Sequence, residues 1–336
     1  MAGDKNKRPR LKLKEEKRPV NRKLLIFLFL ATGAASFFFW WRGKILRDSP
    51  PSVEPATGGI NIRTTTSPTK LALGQSSSRK IGEEKLVAEL EAITATASGH
   101  YAVAVYRITD DSNYGFNQSE RMPAASIMKV PVMVAVWKEI SLGNISLSDI
   151  YTLDEADRST GSGPLQFRPA GSKYSIDELL TYLGKNSDNT AWVMFNRRLT
   201  KKKMTESMAD MKMSNSSYND LVITAEDAAK MFRYIYDGNA GGDKGRVAIS
   251  EYLSGSIYED RIPAAFSDTD QVSFIHKVGT DAGVWSDVGI VMPEETMKVK
   301  PFVIAVLNQD VKRSEAVDMV PDIVKRIWKF EVNSSK

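Results

Sequence analysis

Residues 123–140 read Pro-Ala-Ala-Ser-Ile-Met-Lys-Val-Pro-Val-Met-Val-Ala-Val-Trp-Lys-Glu-Ile. Ser126 stands where a helix would begin, and the residues after it are apolar on every side as far as Lys138. A helix apolar all round is normally enclosed within a larger domain. Lys129 is the exception, one turn after the serine, and residues three apart share a helix face, so Ser126 and Lys129 can touch. A lysine in an apolar helix is costly unless it is paired or put to use. Desolvation lowers its pKa, which turns an ammonium into a base. The helix start adds free backbone N–H groups and positive potential. The stretch therefore offers a nucleophile, a base and donors for an oxyanion. It also fits a capped helix whose lysine snorkels to the surface. Partners elsewhere in the chain have to decide between the two.

Composition narrows the field. The chain has 336 residues, 42% of them hydrophobic, enough for one large domain or two ordinary ones. With no cysteine there is no disulfide and no thiolate metal site, and with two histidines, His100 and His276, a histidine-rich metal site is not expected. No cofactor is implied. A Ser-His-Asp triad would have to draw on one of those two histidines. The net charge of +5 is misleading: residues 1–23 alone carry ten Lys or Arg against three Asp or Glu, so the remainder is slightly acidic. The basic character belongs to a tail and not to a nucleic-acid surface.

In chain order, residues 1–23 read as a basic, disordered cytoplasmic tail. Leu24 to Trp41 is eighteen residues without a charge, long enough to span a bilayer as a single pass. The basic flank places the tail inside and the rest of the chain outside the cytoplasm, at the cell membrane. A cleaved signal peptide ending near Ala35 is the alternative, although the apolar run continues past that point. Residues 42–80, with Pro50, Pro51, Pro55 and Pro68 among Ser, Thr and Gly, read as a linker. Globular patterning begins at Ile81. A helix is expected over Ile81–Ala97 and strands over Tyr101–Ile108 and Tyr114–Asn117. The stretch 142–256 is expected to be mostly helical, with helices over Ile176–Leu183, Asn189–Leu199 and Thr224–Tyr236, the last capped by Thr224. Strands come next over Val272–Val278, Val284–Val291 and Pro301–Leu307. A final helix covers Ser314–Phe330 and is interrupted at Pro321. That order predicts an α+β domain over residues 81–330: an antiparallel sheet flanked by N- and C-terminal helices, with an all-helical lobe inserted.

Two later motifs supply the partners. Ser187-Asp188-Asn189 lies in a Gly-Lys-Asn-Ser-Asp-Asn-Thr-Ala run, and His276-Lys277-Val278-Gly279-Thr280 ends an apolar strand. A serine nucleophile needs a base, a proton path to the leaving group and oxyanion donors. A second hydroxyl can relay a proton, a second lysine can hold a carboxylate and depress the first lysine's pKa, and a glycine lets a substrate backbone come close.

Taken in order, Ser126-Ile-Met-Lys129, Ser187-Asp-Asn189 and Lys277-Val-Gly279 resemble the three motifs of class A β-lactamases and related penicillin-binding proteins. Gly161-Ser-Gly163 with Leu165-Gln166, and Trp285-Ser-Asp-Val-Gly-Ile290, resemble the family's context around them. The resemblance covers about Ile81 to Phe330. It implies that Ser126 is acylated, Lys129 takes its proton and Ser187 relays a proton to the leaving nitrogen. It also implies that Asn189 orients the substrate amide and Lys277 attracts the substrate carboxylate. Gly279 lies on the substrate-binding strand, and the backbone N–H groups of Ser126 and Thr280 form the oxyanion hole. The implied substrate is a β-lactam or a peptidoglycan-type D-Ala-D-Ala amide, and a monomer is expected. Alternatives are a D-alanyl carboxypeptidase-like enzyme and a non-catalytic wall-binding module of the same fold. Two departures stand out. Val278 replaces the usual Thr or Ser, a loss for which Thr280 is the candidate compensation. The Glu-x-x-Leu-Asn pattern that supplies the deacylating base is absent from Met211–Thr224. Asp220 is the nearest acid there, either as a substitute base or as a turn residue.

Overall fold

The computed structural model of the chain describes residues 69–335. The first helix, α1 (Thr69–Thr94), begins twelve residues before the expected start at Ile81, so that 69–80, expected as linker, is helical. Arg79 gives this extension a physical hold, pairing with Glu83 one turn on and with Glu331 at the far end of the chain. β1 (His100–Arg107) and β2 (Asn113–Phe116) form the expected hairpin. β3 (Met122–Pro123) leads into a 3₁₀ turn, Ala125–Met128, and then α2 (Lys129–Ser141).

The middle of the chain is helical with short ribbons. β4 (Ile150–Thr152) pairs with β5 (Lys173–Ser175), then come α3 (Ile176–Lys185) and α4 (Asn189–Asp210). β6 (Val222–Ile223) pairs back on β3, followed by α5 (Ala225–Tyr236) and α6 (Gly242–Leu253). Thr224 caps α5 as expected, its hydroxyl accepting the Asp227 N–H at 3.1 Å. α4 runs beyond the expected end at Leu199 through a break at Thr200, whose φ of 66° is non-helical. α6 had no sequence expectation of its own.

β7 (Val272–Asp281), β8 (Val284–Pro293) and β9 (Phe302–Gln309) complete the main sheet, and α7 (Arg313–Ser334) closes the chain. α7 continues through Pro321, where an interruption was expected: the proline costs one backbone bond, but its ring is buried in the core-facing side. The sheet order is β2-β1-β9-β8-β7, antiparallel throughout, so the first and last strands in sequence are brought together at its centre while β2 and β7 form its edges. Leu86 and Leu90 of α1 and Val320, Ile323 and Ile327 of α7 pack against Val103, Ile304 and Val306 on one face. The opposite face meets α5, which lies against β1, β8 and β9. α2 forms the centre of the helical lobe and packs on α3, α4 and α6. This is the expected α+β architecture.

A buried ionic knot ties the ends of the domain together. Arg107 donates to Glu331 at 2.8 Å and to Glu83 at 2.6 Å, and Tyr114 donates to Glu331 at 2.9 Å. Replacing Arg107 or Glu331 would break the buried pair, a loss of about 3–5 kcal/mol. Among the described residues no helix is long and apolar enough to cross a membrane. The expected tail and span, residues 1–23 and 24–41, lie outside the described residues.

Candidate active site

Ser126 is the second residue of the 3₁₀ turn and does not act as a helix cap. The preceding Ala125 has φ 44°, a left-handed conformation that turns the chain sharply into the helix. The serine's early position leaves its N–H without an intrahelical acceptor. Lys129 opens α2 and is only 3% exposed, so it does not snorkel. Its Nζ lies 2.9 Å from Ser126 Oγ, 2.7 Å from Asn189 Oδ1 and 3.1 Å from Ser187 Oγ, and it donates a close hydrogen bond to the Ser187 carbonyl.

The partners of that amine can serve its neutral form. The Ser187 carbonyl and Asn189 Oδ1 can only accept, so they use two N–H bonds. The Asn189 amide is fixed in that orientation because its Nδ2 donates to the Thr160 carbonyl at 2.8 Å. A neutral amine then has a lone pair left for the Ser126 hydroxyl proton. Burial pushes Lys129 down to about 7, against a smaller upward pull from Asp188.

Ser187 sits in the bend between α3 and α4 with φ 51°. A non-glycine residue in this region costs about 1–3 kcal/mol. The conformation places its hydroxyl between two lysines, Lys129 and, at 2.9 Å, Lys277. Asp188, between Ser187 and Asn189, faces away from the serine. It caps α4 through the Ala191 N–H and holds the 158–167 loop through the Leu165 N–H, both at 2.8 Å. Gly163 is required beneath it: φ is 92°, and a Cβ there would come 2.1 Å from Asp188 Oδ2.

Lys277 and Gly279 lie on the face of β7 nearest the serine. Lys277 is 2% exposed, and burial followed by the charge of Lys129 pushes its pKa well below the usual lysine range. A carboxylate arriving beside it would restore the ammonium form. Gly279 lets the strand pass close to the Ser126 turn, since a Cβ would meet the Ala124 carbonyl at 2.9 Å and Ile127 at 3.1 Å. β7 is an edge strand, so a substrate lying along its open edge is flanked from both faces. From the second face comes Thr280, exposed, its Oγ1 accepting from Arg261 Nη2 at 2.7 Å. Val278, on that same face, is buried and brings no hydroxyl.

Of the seven residues singled out from the sequence, Ser126, Lys129, Ser187, Asn189 and Lys277 are joined by hydrogen bonds, Gly279 lies against the turn that carries Ser126, and Thr280 lies on the other face of β7. Arg261 was not singled out, since it lies in a segment, Tyr258-Glu-Asp-Arg-Ile262, without periodicity or motif. His276 points to the far face of β7 and pairs with Asp287, so it forms no triad with Ser126. Asp220 is an exposed turn residue whose carboxylate accepts from Ser217 Oγ at 2.7 Å.

Beta-lactamase VEB-1 of Pseudomonas aeruginosa is 26% identical over 108 residues, 32% of this chain and 36% of that protein, so the match spans about a third of the relative's length. Among solved structures, the beta-lactamase from Sphaerobacter thermophilus DSM 20745 superposes with a TM-score of 0.66 at 22% identity, covering 74% of this chain and 97% of the other. PBP-A superposes with a TM-score of 0.67 at 17% identity, covering 73% and 95%. TLA-1 extended spectrum beta-lactamase does so with a TM-score of 0.66 at 19% identity, covering 75% and 99%. These structures share the fold. The sequence profile of the beta-lactamase enzyme family matches residues 85–330, which takes in the Ser126 turn, the Ser187 bend and β7, and the chain belongs to that family.

Proposed function

We propose that the protein is a membrane-anchored, extracytoplasmic serine hydrolase that works by acyl transfer through Ser126 on β-lactams or D-Ala-D-Ala-like amides. The observation that carries this reading is the buried Lys129 amine 2.9 Å from Ser126 Oγ, which in its neutral form has a lone pair for the serine proton. Ser126 Oγ attacks the carbonyl carbon as Lys129 takes its proton. The C–N bond breaks, and the leaving nitrogen receives the proton of Ser187 Oγ, which is replenished from the lysine beside it. N–H groups of Ser126 and Thr280 receive the oxyanion. A wall-binding module has no use for two desolvated lysines around a hydroxyl, and this argues against the binding-only reading. A mutant of PBP-A, a protein of the same fold, is known as an acyl-enzyme complex with penicillin-G.

Intact-mass analysis after incubation with benzylpenicillin is the direct test. One adduct per chain is expected, and Ser126→Ala should abolish it. An adduct that persists in Ser126→Ala would remove Ser126 from the mechanism.

The anchoring part of the proposal rests on the +7 segment before the uncharged run 24–41. Protease added to intact cells should remove the domain and spare residues 1–23. A domain that resists external protease in intact cells yet is digested after lysis would overturn it.

A further inference from the structure

The face of the β7–β8 hairpin turned away from Ser126 carries a second set of buried polar groups that acyl transfer does not use. Register places Val278 opposite Asp287 and Thr280 opposite Trp285, so His276, Thr280, Trp285 and Asp287 share this face. His276 and Asp287 are sealed from solvent, and His276 Nδ1 lies 3.0 and 2.9 Å from the two Asp287 oxygens. The other ring nitrogen has no hydrogen-bond partner, the Glu259 carboxylate standing 3.8 Å away. Asp287 also accepts the N–H of Ile262 and that of Val288, both at 3.0 Å. It thereby fixes the backbone immediately after Arg261.

Arg261 is the unusual member. It is 0% exposed, yet its single short polar contact among the described residues is Nη2 to Thr280 Oγ1. Its Nε and Nη1 have no hydrogen-bond partner, and the nearest ion-pair carboxylate, Asp260, stands 3.9 Å from Nε. The rest of its hold is the indole of Trp285, whose centroid lies 3.8 Å from the guanidinium carbon. A guanidinium using one of five donors is weakly located by its own bonds. The remaining hold on Arg261 is through its backbone, which Asp287 fixes at the Ile262 N–H. His276 holds the Asp287 carboxylate in place for that contact: burial works against the ring's charge, but Asp287, with Glu259 adding to it, lifts its pKa to about 9.

The consequence reaches the cleft through one hydroxyl. Thr280 Oγ1 accepts from Arg261, so its own O–H remains to donate, at the open edge of β7 where Val278 supplies none. We propose that His276 and Asp287 are positioning residues that hold Arg261 on Thr280, and so set the preference of the site for a substrate carrying a carboxylate next to the scissile amide. The proposal rests on the acyl-transfer reading of Ser126.

The test compares second-order acylation of the full chain by benzylpenicillin and by its methyl ester, which lacks the carboxylate charge. The wild-type chain is expected to favour the acid. His276→Gln and Asp287→Asn should each slow acylation by the acid about tenfold, the scale of one charge-assisted hydrogen bond, and leave the ester rate within about twofold. Arg261→Gln should do the same. The His276→Gln/Arg261→Gln double variant should lose no more than Arg261→Gln alone, because the histidine acts through the arginine. If Asp287→Asn fails to fold, the His276–Arg261 cycle carries the test unaided. Equal losses for acid and ester, or additive losses in the double variant, would overturn the proposal by reducing the pair to scaffolding. No adduct on the wild-type chain with either compound would overturn the acyl-transfer reading and this proposal with it.

Discussion

Acylation of this chain by benzylpenicillin is expected to rise about tenfold per pH unit below pH 7 and to level off above it, as one group loses one proton. The group is Lys129, which burial brings down to about 7. The sign comes from its role as base: only the neutral amine can take the Ser126 proton, so activity is present above the lysine's pKa and is lost as pH falls through it. In that form two acceptor-only oxygens take the amine's two N–H bonds, and its lone pair is left for Ser126 Oγ, 2.9 Å from the nitrogen. Lys129→Met removes the base and should lower the acylation rate by roughly 10²–10⁴-fold. Lys129→Arg separates base from charge, since a guanidinium keeps the positive charge and does not give up its proton near neutrality. It should be as inactive as the methionine variant. Rapid-quench mass measurement of adduct formation between pH 5 and 9 would decide. A flat profile, or an arginine variant acylating at the wild-type rate, would show that Lys129 acts through its charge and not as the base.

What the sequence reveals and what it hides divide along physical lines. The Ser126–Lys129 pair was legible because helix geometry fixes the relation of residues three apart. The α5 cap at Thr224 was legible for the same local reason. Strand alternation placed β7, β8 and β9 to within a few residues. Contacts between elements carry no such periodic trace. Arg261 reaches Thr280 across nineteen residues, and Arg107 reaches Glu331 across 224. Neither pair has a spacing that would announce it. The early start of α1 escaped for a related reason: Gly74 and the serines at 76–78 are poor helix formers, and the extension is held by Arg79 reaching Glu331 at the other end of the chain. The alternative reading of Ser126 was a cap on α2. The 3₁₀ turn displaced it from that role, and its oxygen is directed at the lysine instead.

The adduct that forms should persist. Acylation and deacylation need different groups, and the ones around Ser126 serve the first. Hydrogen bonds at Ser126 and Lys129 run to each other, to Ser187 and to Asn189, and none runs to a carboxylate. Asp188 is near in sequence, but its oxygens accept the Leu165 and Ala191 N–H groups. The loop that would have to deliver a base, 211–224, is closed and pinned. Leu221 accepts the N–H of Ala124, β6 pairs with β3, and Tyr218 is buried between Trp192 and Asn196 with hydrogen bonds of 2.8 Å to each. Its one candidate acid, Asp220, is turned into solvent and held by Ser217. Missing a general base slows a step by roughly 10²–10⁴-fold, or about 3–5 kcal/mol. A chromogenic cephalosporin should therefore give a burst of about one equivalent followed by a slow phase, with the acyl-enzyme visible by mass throughout. Asp220→Asn should leave the slow phase unchanged. A glutamate placed between Asn215 and Asp220 is not expected to restore turnover, because the loop's own hydrogen bonds fix that segment in its present conformation. Fast linear hydrolysis without an adduct would refute the trapped-ester prediction, and a slow phase that collapses in Asp220→Asn would transfer the missing role to that aspartate.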